Sequence, residues 1–380
     1  MLSRFFASKA VRQYRLIPQL MLVLCAGLAS NGRAQAGPHG HPDIRHVWPN
    51  ARLQIDAPSP DSKLIEHSTV SVPFQLTLSP GPGGASPVLD VMVCGGDGAN
   101  GYSNGCVVFR SVRPNWSSPS GSAVLVDLPP GGVAVTTNIV ACVAIVVAEQ
   151  VLQCGHQLAS NSFTRPVYAR FEVGLDSFTI QHTRSRQLDT VYLALQAAAG
   201  DMQASSINCK LPVLTTPSIP NPIFCKGPAR FGSGDFDDGT HPIGTNFRVG
   251  DMEILPGGGG MLRFGYAVFN YGPVNTPGIN MTEYVQGAIT GSMFKLGAQS
   301  EDNFTDDLNG PPWIGCDGPT AAGSLRIFNS TNSDGLDALT SQAGVYLGSR
   351  PYVVRSQVGC GGDSKYLVNW SIRRTTWRAN

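Results

Sequence analysis

FEVGLDSFTIQHTRSRQLDTVYLAL, residues 171–195, decides the fold. Phe171, Val173 and Leu175 alternate with Glu172 and Gly174, the period of a β-strand with one buried face. The alternation slips at Asp176–Ser177 and resumes at Phe178 and Ile180, so a β-bulge with one extra residue is expected there. Beyond a polar turn, Val191, Leu193 and Leu195 share one face while Tyr192, Ala194 and Gln196 take the other. Two period-two arms joined by a turn predict an all-β chain, and the stretch opens its second domain.

The composition agrees. A chain of 380 residues predicts two domains. Charged residues are 14%, below the roughly 25% usual for soluble proteins. Gly 44 and Pro 28 make 72 of 380 residues, the balance of many short strands joined by turns. A net charge of +1 excludes the basic footprint of a nucleic-acid binder and a polybasic membrane surface.

The N-terminus reads as an export signal spanning 1–36. Arg4, Lys9, Arg12 and Arg15 precede the apolar run Leu16–Ala29, and Ala34-Gln35-Ala36 offers a cleavage site. Cys25 follows Leu24, not the small residue that lipoprotein processing needs. No later apolar run is long enough to span a bilayer as a helix, so no transmembrane segment is expected after cleavage. The predicted location is secreted or extracytoplasmic.

Removing Cys25 leaves eight cysteines, an even number suited to an oxidising compartment. Cys94 and Cys106 bracket a hairpin tip at Asn100-Gly101, and Cys142 and Cys154 repeat that spacing, so the pairs 94–106 and 142–154 are expected. Cys209–Cys225 and Cys316–Cys360 follow as sequence neighbours. Zinc would need paired C-x-x-C spacing, which the sequence lacks.

Residues 37–50 are a His- and Pro-rich lead-in. The first domain is expected over 51–166 as a sandwich of immunoglobulin-like architecture, without the Cys…Trp…Cys pattern of true immunoglobulin domains. Val70, Val72, Phe74, Leu76 and Leu78 form its clearest strand, and Pro73 argues that this strand lies at an edge. The second domain, 170–380, is expected as another mostly antiparallel, disulfide-stabilised sandwich. Leu262, Phe264, Tyr266 and Val268 mark one strand face; Tyr366, Val368, Trp370 and Ile372 mark another. Thr282–Leu296 is the one expected helix, although its glycines weaken it.

Within the second domain, FTIQHTRSRQLDT, RFGYAVFNYG, CDGP at 316–319 and GCGGDSKYLVNWSI at 359–372 resemble a group of uncharacterised exported β-sandwich proteins. That group is marked by F-T-I…T-R-S…D-T, a late C-D-G-P and a closing G-C-G…Y-x-V-x-W. The resemblance implies export and fold, and names no activity. It also implies a long small-residue helical insert before C-D-G-P, and 283–299 is much shorter.

Candidate site residues are few. Arg184, Arg186 and Asp189, with neighbouring hydroxyls, could hold a sugar or carboxylate ligand, or could fix the strand register through an Arg184–Asp189 pair. Trp116 in PNWSSPSG is the best candidate for stacking a sugar. Asp235, Asp237 and Asp238, and Glu301, Asp302, Asp306 and Asp307, form two acidic clusters, for which calcium is the one cofactor considered. Gly101–Gly105 matches G-x-S-x-G, but a strand follows it where a hydrolase elbow needs a helix. N-x-S/T sequons stand at Asn115, Asn280, Asn303, Asn329 and Asn369.

No catalytic set converges, so the expected function is non-enzymatic binding of an extracellular ligand or surface, with a glycan as one candidate. A secreted, glycan-directed hydrolase and a structural component of an envelope or extracellular assembly are the alternatives.

Overall fold

The strand Val151–His182 is the spine of the molecule. Gly132–Val147 pairs antiparallel with its first half, closing a hairpin at Val147 and Val151. Ser364–Arg374 pairs antiparallel with its second half. These strands belong to a nine-stranded sheet that continues through Leu89–Gly95 to Val107–Val112 at one end and to Val345–Val354 at the other. The computed structural model describes residues 48–81, 87–96, 105–147, 151–200, 209–210, 223–272, 280–295, 301–309, 313–328 and 344–378. The leader, most of the lead-in, most of the G-x-S-x-G stretch and Asn329 lie outside them.

The sequence-predicted bulge is present. Ser177 pairs with Asn369 and Leu175 with Trp370, leaving Asp176 as the extra residue. Its carboxylate accepts from Arg248 Nη2 and from Ser371 Oγ, so the polar side chain that the slip exposes is held on the sheet.

Two further sheets complete the all-β, disulfide-bonded architecture. A four-stranded sheet contains Asn50–Ile55, Thr69–Ser79, Trp116–Ser117 and Ala123–Asp127. Pro73 does not mark an edge strand, because Thr69–Ser79 has neighbours on both sides. The proline sits where they change over, opposite Ala123 and beside the Ile55–Phe74 pair, so its missing N–H falls between two ladders. A six-stranded sheet runs Cys209–Lys210, Ile223–Phe236, Asp189–Ala199, Met261–Asn270, Gly318–Phe328, Glu301–Asn303.

Each sandwich has its own core. Val72, Leu76, Val91, Val126, Ile139 and Val167 pack between the four-stranded sheet and the first half of the spine. Phe171, Phe178, Leu193, Phe264, Val268 and Trp370 pack between the six-stranded sheet and its second half. The two cores meet between Val167 and Ala169, within the unbroken strand Val151–His182. Residues Val47–Asn380 form one compact unit.

A buried ion pair crosses that boundary. Glu66 accepts from Arg374 Nε at 2.7 Å, from Arg374 Nη2, from Thr376 Oγ1, and from the Gly131 amide at 2.7 Å. Its side chain is 0% exposed, so the charge is stabilised by these donors in place of water.

The helix forms over Met281–Lys295 and covers the other face of the six-stranded sheet. Val285, Ile289 and Met293 pack on Ala194, Ala198, Ala267, Phe269 and Ala322. The alanines let the helix approach closely. For this reason Met261–Asn270 is buried at every position instead of alternating.

Disulfides join Cys94–Cys106, Cys142–Cys154 and Cys316–Cys360. Cys225 is also disulfide-bonded; the side chain of its expected partner, Cys209, lies outside the described residues. Among the described residues, no helix is long and apolar enough to cross a membrane.

Candidate functional site

The turn after the spine strand carries a polar centre. Asp189 is fully buried, and its carboxylate accepts from the amides of Arg184 and Ser185 and from the Tyr366 hydroxyl, each at 2.7 Å. One side chain thus closes the turn 183–189 and ties it to the strand Ser364–Arg374. Burial, together with the adjacent Asp189 charge, pushes the Tyr366 hydroxyl well above its ordinary value, so it remains a donor.

Arg184 extends away from Asp189 and is only 1% exposed. Its Nε donates to Cys316 O at 3.1 Å and its Nη1 to Pro319 O at 3.0 Å. Its Nη2 donates to Asn309 Oδ1 at 3.0 Å, and Arg355 O lies 3.5 Å from Nη1. The planar fork engages acceptors in several directions, which a lysine could not do. Burial lowers the guanidinium's pKa, while the Asp189 and Asp317 charges oppose that shift.

Asn270, at the end of Met261–Asn270, joins the same centre. Its Oδ1 accepts from the Thr190 amide at 2.7 Å, and its Nδ2 donates to Ser185 Oγ and to Cys316 O. Asp317 accepts from the Gly272 amide at 2.8 Å. Burial pushes its carboxyl above the usual range, partly offset by that amide and by the Arg184 charge.

Two glycines permit this packing. A Cβ on Gly318 would stand 2.7 Å from Arg184 Nη2, and the residue has φ +139°. A Cβ on Gly361 would stand 2.2 Å from Ser185 O; with hydrogen there, the Gly361 amide donates to Arg184 O at 3.0 Å. The T-R-S…D-T, C-D-G-P and G-C-G segments thus meet in one place, further tied by Cys316–Cys360 and by Arg186 Nε on Gly359 O.

Around this centre, three segments, 183–189, 313–317 and 355–363, are cross-linked to one another, with Asn309 bonded to the first and the last. Each displays an exposed aliphatic side chain: Leu188 at 49%, Ile314 at 50% and Val358 at 107%. Arg186 and Arg355 are exposed beside them. The arrangement is a rigid set of loops at a strand end with apolar contacts turned to solvent, chemically suited to binding.

The other sequence candidates lie elsewhere. Arg184 and Asp189 are interior, and Asp189 holds main-chain amides rather than the Arg184 guanidinium. Trp116 is half-buried at the margin of the first core, tilted against Phe109 with centroids 4.8 Å apart. Asp235 accepts from Thr190 Oγ1 and Arg230, while Asp237 uses its carbonyl on His241. Asp302 accepts from Ser292 Oγ, and Asp306 and Asp307 open the short helix Thr305–Leu308. Asp238 and Glu301 are exposed. Among the described residues, no three His, Cys, Asp or Glu side chains gather as a metal site requires.

Asn270, Asn309 and Asp317 are the polar-centre residues the sequence reading missed. An asparagine closing a strand that is apolar but for Arg263 was the available sign. No family model matches the chain, and no curated protein matches it either.

Proposed function

We propose that this is a secreted, non-enzymatic binding or surface-interaction protein whose contact surface is the loop cluster 183–189, 313–317 and 355–363. One observation carries the reading: a buried cation and a disulfide fix three loops that turn Leu188, Ile314 and Val358 to solvent. Holding loops in one conformation before contact lowers the ordering cost of binding. Export is supported by the disulfides and by the leader-like N-terminus.

The hydrolase reading draws less support, because the region's buried carboxylates, Asp189 and Asp317, are turned to main-chain amides. The assembly reading needs an open sheet edge. Among the described residues, Val345–Val354 pairs only with Ser364–Arg374. The Arg374 amide donates to Gly344 O, which places the even-numbered residues of that strand inward and turns the main chain of Pro351 toward the open side. A proline there removes a donor and blunts the edge.

The test is a panel of glycans, extracellular polymers and general hydrolase substrates, applied to the oxidised protein and to Val358→Asp. Retention on at least one polymer, lost in Val358→Asp without change in thermal stability, is expected. Turnover of any substrate overturns the non-enzymatic reading, and retention indifferent to Val358→Asp overturns the assigned surface.

A further inference from the structure

We infer that residues 374–378 form an acid-released strap between the two sandwiches, held shut by the Glu66 carboxylate. The segment leaves the end of Ser364–Arg374 and runs along the junction of the cores, tied at every residue. Arg374 donates to Glu66 through Nε and Nη2, and the Thr375 amide donates to Arg170 O at 2.8 Å. Thr376 Oγ1 donates to Glu66 and accepts from the Arg170 amide at 3.1 Å. Trp377 lies against Gly344, where a Cβ would stand 2.8 Å from its Cγ, and Arg378 Nη2 donates to His67 O at 3.2 Å. Among the described residues, neither core draws on a side chain beyond Ile372, so the strap can detach while both stay packed.

The carboxylate is the part that acid can change. A protonated Glu66 needs an acceptor for its own O–H. Its Arg374 and Gly131 partners are N–H groups, which only donate, and Thr376 Oγ1 already accepts from the Arg170 amide. The side chain is 0% exposed, so bulk water does not reach it. The neutral form therefore has no place in the closed site.

The surrounding charges push the same way. Arg374, Arg378 and His67 are the charged or titratable groups set against Glu66, while Glu253 takes Lys63 and Arg170 on the adjoining surface. Burial lowers the His67 pKa, opposed by Glu66 and reinforced by Arg378 and Arg374. Burial raises that of Glu66, but bonds from Arg374, Thr376 and the Gly131 amide outweigh it and leave the group below its ordinary 4.5. Both groups bind protons more readily once the strap lets go, so each favours release as pH falls through its folded value. Below that range His67 is charged and Glu66 neutral, which leaves three cations together at the strap.

The experiment is amide hydrogen exchange on the oxidised protein across a pH series from neutral to acid, each rate taken relative to an unstructured peptide at the same pH. The reporters are the Thr375 and Arg170 amides, bonded to Arg170 O and to Thr376 Oγ1, with Leu76 and Leu193 as references in the two cores. At the acid end the reporters are expected to lose about a hundredfold of their protection while Leu76 and Leu193 keep theirs. Glu66→Gln, which cannot carry the charge, is expected to show that pattern already at neutral pH. The wild-type series decides the matter by itself if Glu66→Gln does not fold. Reporters that stay protected in acid, or that lose protection only together with both cores, overturn the inference. So does a folded Glu66→Gln protein whose reporters remain protected at neutral pH.

Discussion

Arg184→Met is expected to lower stability by about 3 kcal/mol, read as a fall in the urea midpoint at unchanged slope. The guanidinium lies 1% exposed among acceptors from three segments of chain. Its removal withdraws the donors to Pro319 O at 3.0 Å and Asn309 Oδ1 at 3.0 Å, while Cys316 O keeps the Asn270 donor at 2.8 Å. A buried acceptor left without its donor costs about 1–3 kcal/mol; Pro319 O is buried, and the half-buried Asn309 Oδ1 loses its donor as well. Methionine fills much of the volume, so the loss reports hydrogen bonding more than a cavity. Arg184→Lys keeps the charge but not the fork, and should fall between wild type and Arg184→Met. A change of under about 0.5 kcal/mol, the size of an ordinary surface substitution, would contradict the assignment.

Glu66→Ala should cost about 3–5 kcal/mol, because it removes the buried carboxylate that accepts from Arg374, whose side chain is 10% exposed, from Thr376 and from the Gly131 amide. This loss is pH-dependent with a defined sign. Burial raises the Glu66 pKa, but bonds from Arg374, Thr376 and the Gly131 amide, with the Arg374 charge, outweigh it and leave the group below its ordinary 4.5. A carboxylate lowered by folding contributes fully above the unfolded value and is lost as pH falls through the folded value. The stability gap between wild type and Glu66→Ala should therefore be widest near pH 6 and shrink below about pH 4.5. Urea titrations at pH 6, 4 and 3 measure it. A constant gap would mean the carboxylate does not hold the two cores together.

Much of the fold was legible because side-chain alternation encodes it. The slip at Asp176–Ser177 marks the bulge, and Tyr366, Val368, Trp370 and Ile372 mark a buried face. The alternation could not show that the six-stranded sheet is covered twice. Ala194, Ala198 and Ala267 look neutral in sequence and become core only beneath the helix. Pro73 misled because a proline shows that a donor is missing, not whether a second neighbour begins beside it.

The polar centre was half legible. The turn Thr183–Asp189 stands out by its hydroxyls and charges, and Asp189 does fix its geometry. The destination of Arg184 does not, since its acceptors lie 125 to 171 residues away and most are main-chain carbonyls, a group every residue carries. Exposure of Leu188, Ile314 and Val358 is likewise a property of the assembled loops and not of their composition.

Amide hydrogen exchange at Arg184, Ser185 and Gly361 tests the pre-set loop cluster most directly. These three amides donate to Asp189 or to Arg184 O. In the oxidised protein they should exchange as slowly as Leu193 in the core strand, opening only with global unfolding. Exchange within about tenfold of unstructured-peptide rates would show three independent loops and no common platform.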